Sequence, residues 1–178
     1  MPVSEMANIP AIMREVEIVK PRRIIDLGCG FGKYGVLCRE VLEAVNGRCS
    51  PDKWLVTIDG VEAFGAYKNP CWDVYSNVII ADFTKLPPTH FASYDLALVI
   101  DSLEHLEKEV GKEFLAMLRG QCEKVIVSVP DGVHPQGAVF GNEYERHRGQ
   151  WTRLDLEKLG GKVVHHATCV VAKFVRPR

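Results

Sequence analysis

Ile24-Ile25-Asp26-Leu27-Gly28-Cys29-Gly30-Phe31-Gly32-Lys33-Tyr34-Gly35 is the stretch that decides the fold. A short apolar run enters a cluster of glycines, and a helical pattern follows. Glycines between a strand and a helix allow a tight turn and close approach of a ligand to the backbone. In an open parallel sheet, such a turn at the carboxyl end of a strand is where ligands bind.

Working outward, further apolar runs predict strands at 22–27, 54–59, 77–81, 94–100, 124–129, 162–166 and 169–175. Most are continuous rather than alternating, which suits strands covered on both faces of a parallel sheet. Helical spacing lies between them. Asn8 precedes Ile9-Pro10 as a candidate cap, and Ile12, Met13, Val16 and Val19 share a face. Tyr34, Leu37, Cys38, Val41, Leu42 and Val45 share another. Leu103 through Leu118 repeat at three or four residues, with Gly120 as a candidate C-cap. A shorter helix over 152–159 has Thr152 as its cap and Gly160-Gly161 at its end. Alternating strands and helices imply right-handed βαβ units, and the short link before the last strand implies an antiparallel hairpin. The stretches 46–53 and 130–150 read as loops, and one as long as the second is usually functional.

The chain has 178 residues, a length that predicts a single domain: an N-terminal helix (1–20) and a core (21–178) carrying the 130–150 loop. With 47% hydrophobic and 25% charged residues it is an ordinary globular composition, which excludes a disordered chain. The formal charge of −1 gives nucleic-acid or anionic-membrane binding no support. The basic clusters at 21–23 and 173–178 are too short to argue for RNA. No apolar run is long enough for a transmembrane helix, and the N-terminus lacks the pattern of an export signal. None of the six cysteines forms a C-x-x-C pair. A cytoplasmic protein with reduced, buried thiols is expected.

Gly30 to Gly35 satisfies G-x-G-x-x-G, which taken alone points to a dinucleotide. Asp26 argues otherwise, because a carboxylate before the glycines repels a pyrophosphate and favours an ammonium group. S-adenosylmethionine carries an ammonium and a sulfonium and no phosphate. IIDLGCGFG matches motif I of the class I S-adenosylmethionine-dependent methyltransferases, and the chain resembles that family from about Arg22 onward. The resemblance implies a Rossmann-like α/β sandwich with a seven-stranded, mostly parallel sheet and an antiparallel last strand. It implies S-adenosylmethionine as cofactor, bound through Asp26, Gly28, Cys29, Gly30 and Gly32 of the turn. In Gly60-Val61-Glu62 it makes Glu62 the ribose ligand, with Asp59 read as a turn residue. Asp82 would take the adenine amine and Phe83 the ring, although Asp82 also fits a cap and Phe83 a core residue. Asp101 would lie near the methionine portion.

At the acceptor side, Asp101-Ser102-Leu103-Glu104-His105 resembles the E-x-x-E-H element of two metal-using subgroups, the catechol O-methyltransferases of ubiquinone synthesis and the small-RNA terminal ribose methyltransferases. His147, followed by Trp151-Thr152, is similar to the His of the stretch before the family's last helix. A divalent ion on Asp101, Glu104, His105 and His147 is the alternative; metal-free catalytic roles for His105, Glu104 and His147 are favoured. Tyr144, Arg146, His147, Arg148 and Trp151 give the loop an aromatic and basic character that suits either an anionic or sugar-like acceptor or a solvated loop with one anchoring Trp. His90, His134 and His165-His166 read as surface or strand residues. The expectation is methyl transfer to oxygen of a small-molecule substrate, with an NAD(P)-dependent oxidoreductase and a non-catalytic methyltransferase-like binding domain as rivals.

Overall fold

The apolar runs become the strands β1 (Arg23–Leu27), β2 (Thr57–Glu62), β3 (Asn77–Ile80), β4 (Leu96–Ile100), β5 (Lys124–Pro130), β6 (Lys162–His166) and β7 (Cys169–Val175). They form one sheet in the order β3-β2-β1-β4-β5-β7-β6. β1 through β5 are parallel to one another, and β7 runs antiparallel between β5 and β6. The helices are α1 (Ile9–Val19), α2 (Lys33–Leu42), α3 (Lys108–Gln121) and α4 (Arg153–Lys158). The computed structural model describes residues 3–177; Met1 and Pro2 of the N-terminal region and Arg178 of the C-terminal basic cluster lie outside it. No helix among the described residues is long and apolar enough to cross a membrane.

Alternate strand residues feed two cores. Ile24, Ile58 and Leu98 face α1 and α2, meeting Ile12, Val16 and Cys38. Ile25, Ala97 and Val127 face the other side, meeting Phe114, Leu118 and Leu156. Each such aliphatic side chain contributes about 1.5–3 kcal/mol when fully buried. β4 is buried at every position, so its run has no polar alternation to display. β1 lies between β2 and β4, so the connections diverge there and a crevice opens beyond the carboxyl ends of β1 and β4.

Several local expectations need correction. The second strand runs from Thr57 to Glu62 rather than 54–59. Leu55 and Val56 give their N–H groups to the buried Glu43 carboxylate at 2.8 and 2.7 Å, and the ladder starts only with Thr57 N–H on Arg22 O. Asp59 is therefore no turn residue but sits within β2, accepting the Tyr94 hydroxyl at 2.7 Å. Asn8 does not cap α1 with its side chain; its Nδ2 donates to Ser128 Oγ instead. Leu103–His105 form a separate 3-10 turn before α3, and Gly120 lies inside α3, whose C-cap is Cys122. Thr152 does cap α4, in a reciprocal pair with Asp155. Cys49 and Cys71 are exposed, whereas the other four unpaired thiols are buried.

Candidate active site

The turn after β1 is fastened to β2 before any ligand is considered. Gly28 and Cys29 both donate their N–H to Val61 O, at 2.8 and 3.1 Å. Gly28 has φ +78°, and a Cβ there would lie 2.9 Å from Ser102 Cβ, so glycine is required on both counts. Gly30 N donates to Glu62 Oε2 and Phe64 N to Glu62 Oε1, each at 2.9 Å. Burial pushes the Glu62 carboxyl above its ordinary value, and these two bonds oppose the shift.

A cavity of about 310 Å³ opens over this turn. Gly28, Cys29 and Gly30 line it from the turn, Glu62 and Asp101 from strand ends, and Asp82 and Phe83 from the segment after β3. Asp82 serves as a cap as well: its Oδ1 accepts Thr84 N and Oγ1, at 2.9 and 2.6 Å. Phe83 is both wall and core, with its ring 5.0 Å from that of Phe114. Asp101 has φ +47°, a strained value for a residue with a side chain. Its Oδ1 accepts Ser128 Oγ at 2.5 Å and its Oδ2 accepts Glu5 N at 3.0 Å.

Asp26 and Gly32 depart from expectation, for neither lines the cavity. The strand's two-residue period puts Asp26 on the same face as Ile24, beneath the α1–α2 layer. Asp26 is 2% exposed, and its carboxyl accepts the Tyr75 hydroxyl at 2.6 Å and is pushed up to about 7 by burial. Gly32 is the N-cap of α2 at φ +89°, packed so that a Cβ would lie 3.2 Å from both Cys71 O and the Tyr75 ring. Both serve the turn from behind.

Beyond Asp101, the turn Leu103–His105 and the 130–150 loop meet. One ligating atom from each of Glu104, His105 and His147 lies within 4.8 Å of the others. The His105 and His147 rings are 5.0 Å apart, edge to face. Asp101 does not join them, because its oxygens serve Ser128 and Glu5. Glu104 is 3% exposed and its Oε2 has no hydrogen-bond partner among the described residues. Burial drives its carboxyl well upward, and lowers both imidazoles below their usual range, with His147 adding to the effect on His105. His147 Nδ1 donates to His134 O at 2.5 Å, which leaves Nε2 of the neutral ring as an acceptor.

The loop is held by backbone. Arg148 N and Gly149 N each donate to Glu104 O at 2.9 Å. The Arg148 guanidinium donates to the carbonyls of His105, Arg146 and Glu143. Arg146 pairs with Glu143, and Trp151 is buried under α3. Arg146, Arg148 and Trp151 thus fix the loop, whereas Tyr144 lines the first cavity and His147 the second. A second cavity, about 600 Å³, lies on the far side of the cluster. It shares Val3, Ser4, Asp101 and His105 with the first, so the two abut across these residues. His134 is exposed, as its reading as a surface residue has it, and borders this second cavity; His165 and His166 are strand residues of β6.

No family model matches the chain, and no curated protein matches it. Solved structures do. The methyltransferase domain of bacterial CtHen1 is 20% identical, with a TM-score of 0.63 over 96% of this chain and 100% of that one. The 1,6-didemethyltoxoflavin-N1-methyltransferase of Burkholderia thailandensis, with S-adenosylhomocysteine bound, is 17% identical, with a TM-score of 0.67 over 98% and 80%. The magnesium protoporphyrin IX methyltransferase of Synechocystis PCC 6803, with S-adenosylmethionine bound, is 14% identical, with a TM-score of 0.61 over 96% and 77%. This chain has the class I methyltransferase fold.

Within this methyltransferase fold, sequence reasoning overlooked the contribution of the N-terminal segment. Ser4 lines both cavities, and Lys33 Nζ donates to Ser4 O and Oγ at 2.9 and 3.0 Å. Lys33 had a local signal, the first helical position after the glycines. Ser4 had none, because its partner is 29 residues away.

Proposed function

We propose that the chain is an S-adenosylmethionine-dependent methyltransferase that methylates a hydroxyl of a small-molecule acceptor. The observation that carries this reading is the contact of two cavities across Asp101 and His105. One holds the glycine turn and the anchored Glu62; the other opens on Glu104, His105 and His147. A chamber near 600 Å³ suits a small molecule, and none of its described lining residues is Lys or Arg, so a phosphodiester chain finds no anchor there.

The bound cofactor supplies a methyl group, on a sulfonium sulfur, for in-line attack by the acceptor oxygen. Glu62, oriented by the Gly30 and Phe64 amides, accepts both ribose hydroxyls. Asp82 offers Oδ2 to the adenine amine while Oδ1 holds the cap, and Phe83 packs on the ring. The cavity is acidic: Glu62, Asp82, Asp101, Glu107 and Glu145 line it, against Lys33 and Arg148. That balance opposes a diphosphate and favours the sulfonium compound over NAD(P), a role the sequence had suggested for Asp26. On the acceptor side, His147 Nε2 or His105 takes the hydroxyl proton, since burial keeps both imidazoles neutral.

A second reading of the same cluster has its own observation. The orphaned, buried Glu104 Oε2 beside two neutral imidazoles fits a divalent ion. Glu104, His105 and His147 would hold it, and it would ease loss of the acceptor proton by Lewis acidity. Calorimetry with S-adenosylhomocysteine and NADH on one preparation tests the main proposal. Binding of the first and not the second is expected; binding of NADH alone refutes it.

A further inference from the structure

We infer that Arg148 is the positioning residue that holds the His105 ring with its proton on Nδ1, so that Nε2 is free to meet the acceptor. The inference rests on the acceptor-side reading above and adds a residue to it. Either use of the ring, as base or as ion ligand, needs the bare Nε2 lone pair. His105 lines both cavities while His147 lines only the second, so His105 stands where methyl donor and acceptor come together.

His105 Nδ1 lies 3.4 Å from Arg146 O. A carbonyl oxygen only accepts, so this contact draws the ring proton to Nδ1. At that length the bond is weak, and a carbonyl free to swing away would leave both tautomers open to the ring. Arg148 prevents the swing. Its Nη1 donates to His105 O at 3.0 Å and to Arg146 O at 3.2 Å. One nitrogen thus bridges the backbone of His105 and the carbonyl that receives the His105 ring. The rest of Arg148 is fastened around this bridge: Nη2 donates to Glu143 O at 2.9 Å, and the main-chain N–H donates to Glu104 O at 2.9 Å. A guanidinium ordinarily seeks a carboxylate. Here the adjacent Glu143 carboxylate pairs with Arg146, and the Arg148 fork is spent on main-chain oxygens, which gives direction rather than charge neutralisation. His147 supplies the internal comparison. Its Nδ1 donates to His134 O at 2.5 Å, short enough to set that ring without help from Arg148.

Nitrogen NMR of the imidazole rings reads the tautomers directly, with no substrate needed. Spectra are taken on the full chain at about pH 8, where both rings are neutral, with a chelator present so that no ion holds either. The unaltered protein should carry the proton on Nδ1 in both His105 and His147. Arg148 is exposed, so its replacement leaves the core intact. Arg148→Met should turn His105 into a mixture of both tautomers and leave His147 as it was. Arg148→Lys, whose single nitrogen can bridge the same two carbonyls, should keep the His105 proton on Nδ1. A His105 proton on Nε2 in the unaltered protein overturns the inference. So does an unchanged His105 in Arg148→Met, and so does an equal change in both rings, which marks a general loosening of the loop. The methyltransferase reading survives any of these results. Conversely, failure of S-adenosylhomocysteine to bind in calorimetry removes that reading and leaves the tautomers to be judged on their own spectra.

Discussion

Asp26 provides the sharpest quantitative test of how the glycine turn is supported. Its carboxyl is buried on the α1–α2 side, and burial raises it from its ordinary value of 3.8 to about 7, against the opposing bond from Tyr75. In the unfolded chain the group ionises near 3.8; in the folded chain it keeps its proton until about 7. Between those values the native state binds more protons, so stability falls as pH rises, and the penalty is complete above the folded value. From pH 5 to pH 8, roughly two pH units of this difference act, at about 1.4 kcal/mol each, or about 2–3 kcal/mol. Asp26→Asn keeps an oxygen for the Tyr75 hydroxyl and removes the titration. Urea unfolding of both proteins at pH 5 and pH 8 isolates the effect, because any constant cost of the amide cancels in the difference. The variant should gain about 2–3 kcal/mol on the parent between the two pH values. A gap unchanged with pH would refute the assignment of a buried, protonated carboxyl behind the turn.

Other perturbations address the support and the reacting end. Gly35→Ala would bring a Cβ to 2.4 Å from the Tyr75 ring and dislodge the hydroxyl that bonds Gly35 N and Asp26; a loss of about 1–3 kcal/mol is expected in urea unfolding. Thr152→Ala breaks the α4 capping box and should cost about 1 kcal/mol by the same assay. Glu104→Gln should weaken Mn²⁺ binding at least about tenfold in calorimetric titration, with the thermal transition retained, if the carboxylate and two imidazoles hold an ion. Undiminished Mn²⁺ affinity would leave the cluster its metal-free role.

The sheet and the position of the crevice were legible because β1 and the turn after it are local in sequence: an apolar run, an acid, then glycines at φ +78°, +53° and +89°. The placement of Glu62, Asp82 and Phe83 on the cavity wall was legible too, since Glu62 ends β2 and the other two follow β3 at the same edge. What Asp26 does was not. Its neighbourhood in the chain is the glycine turn, but its side chain follows the pleat to Tyr75, 49 residues away. The start of β2 was hidden for a similar reason, as Leu55 and Val56 read as strand while Glu43 takes their amides. Arg148 belongs to a loop that read equally as acceptor-binding or solvated, and its guanidinium is bound to three carbonyls. In each case a contact between distant segments overrode the local pattern.

The double attachment of the Arg148 and Gly149 amides to the Glu104 carbonyl separates the scaffold from the side chain at this position. Any amino acid other than the one present there still offers the same main-chain oxygen. The loop's anchorage thus survives exchange of the Glu104 carboxylate, and lineages diverging from this protein have room to change the side chain at position 104 without first rebuilding its surroundings.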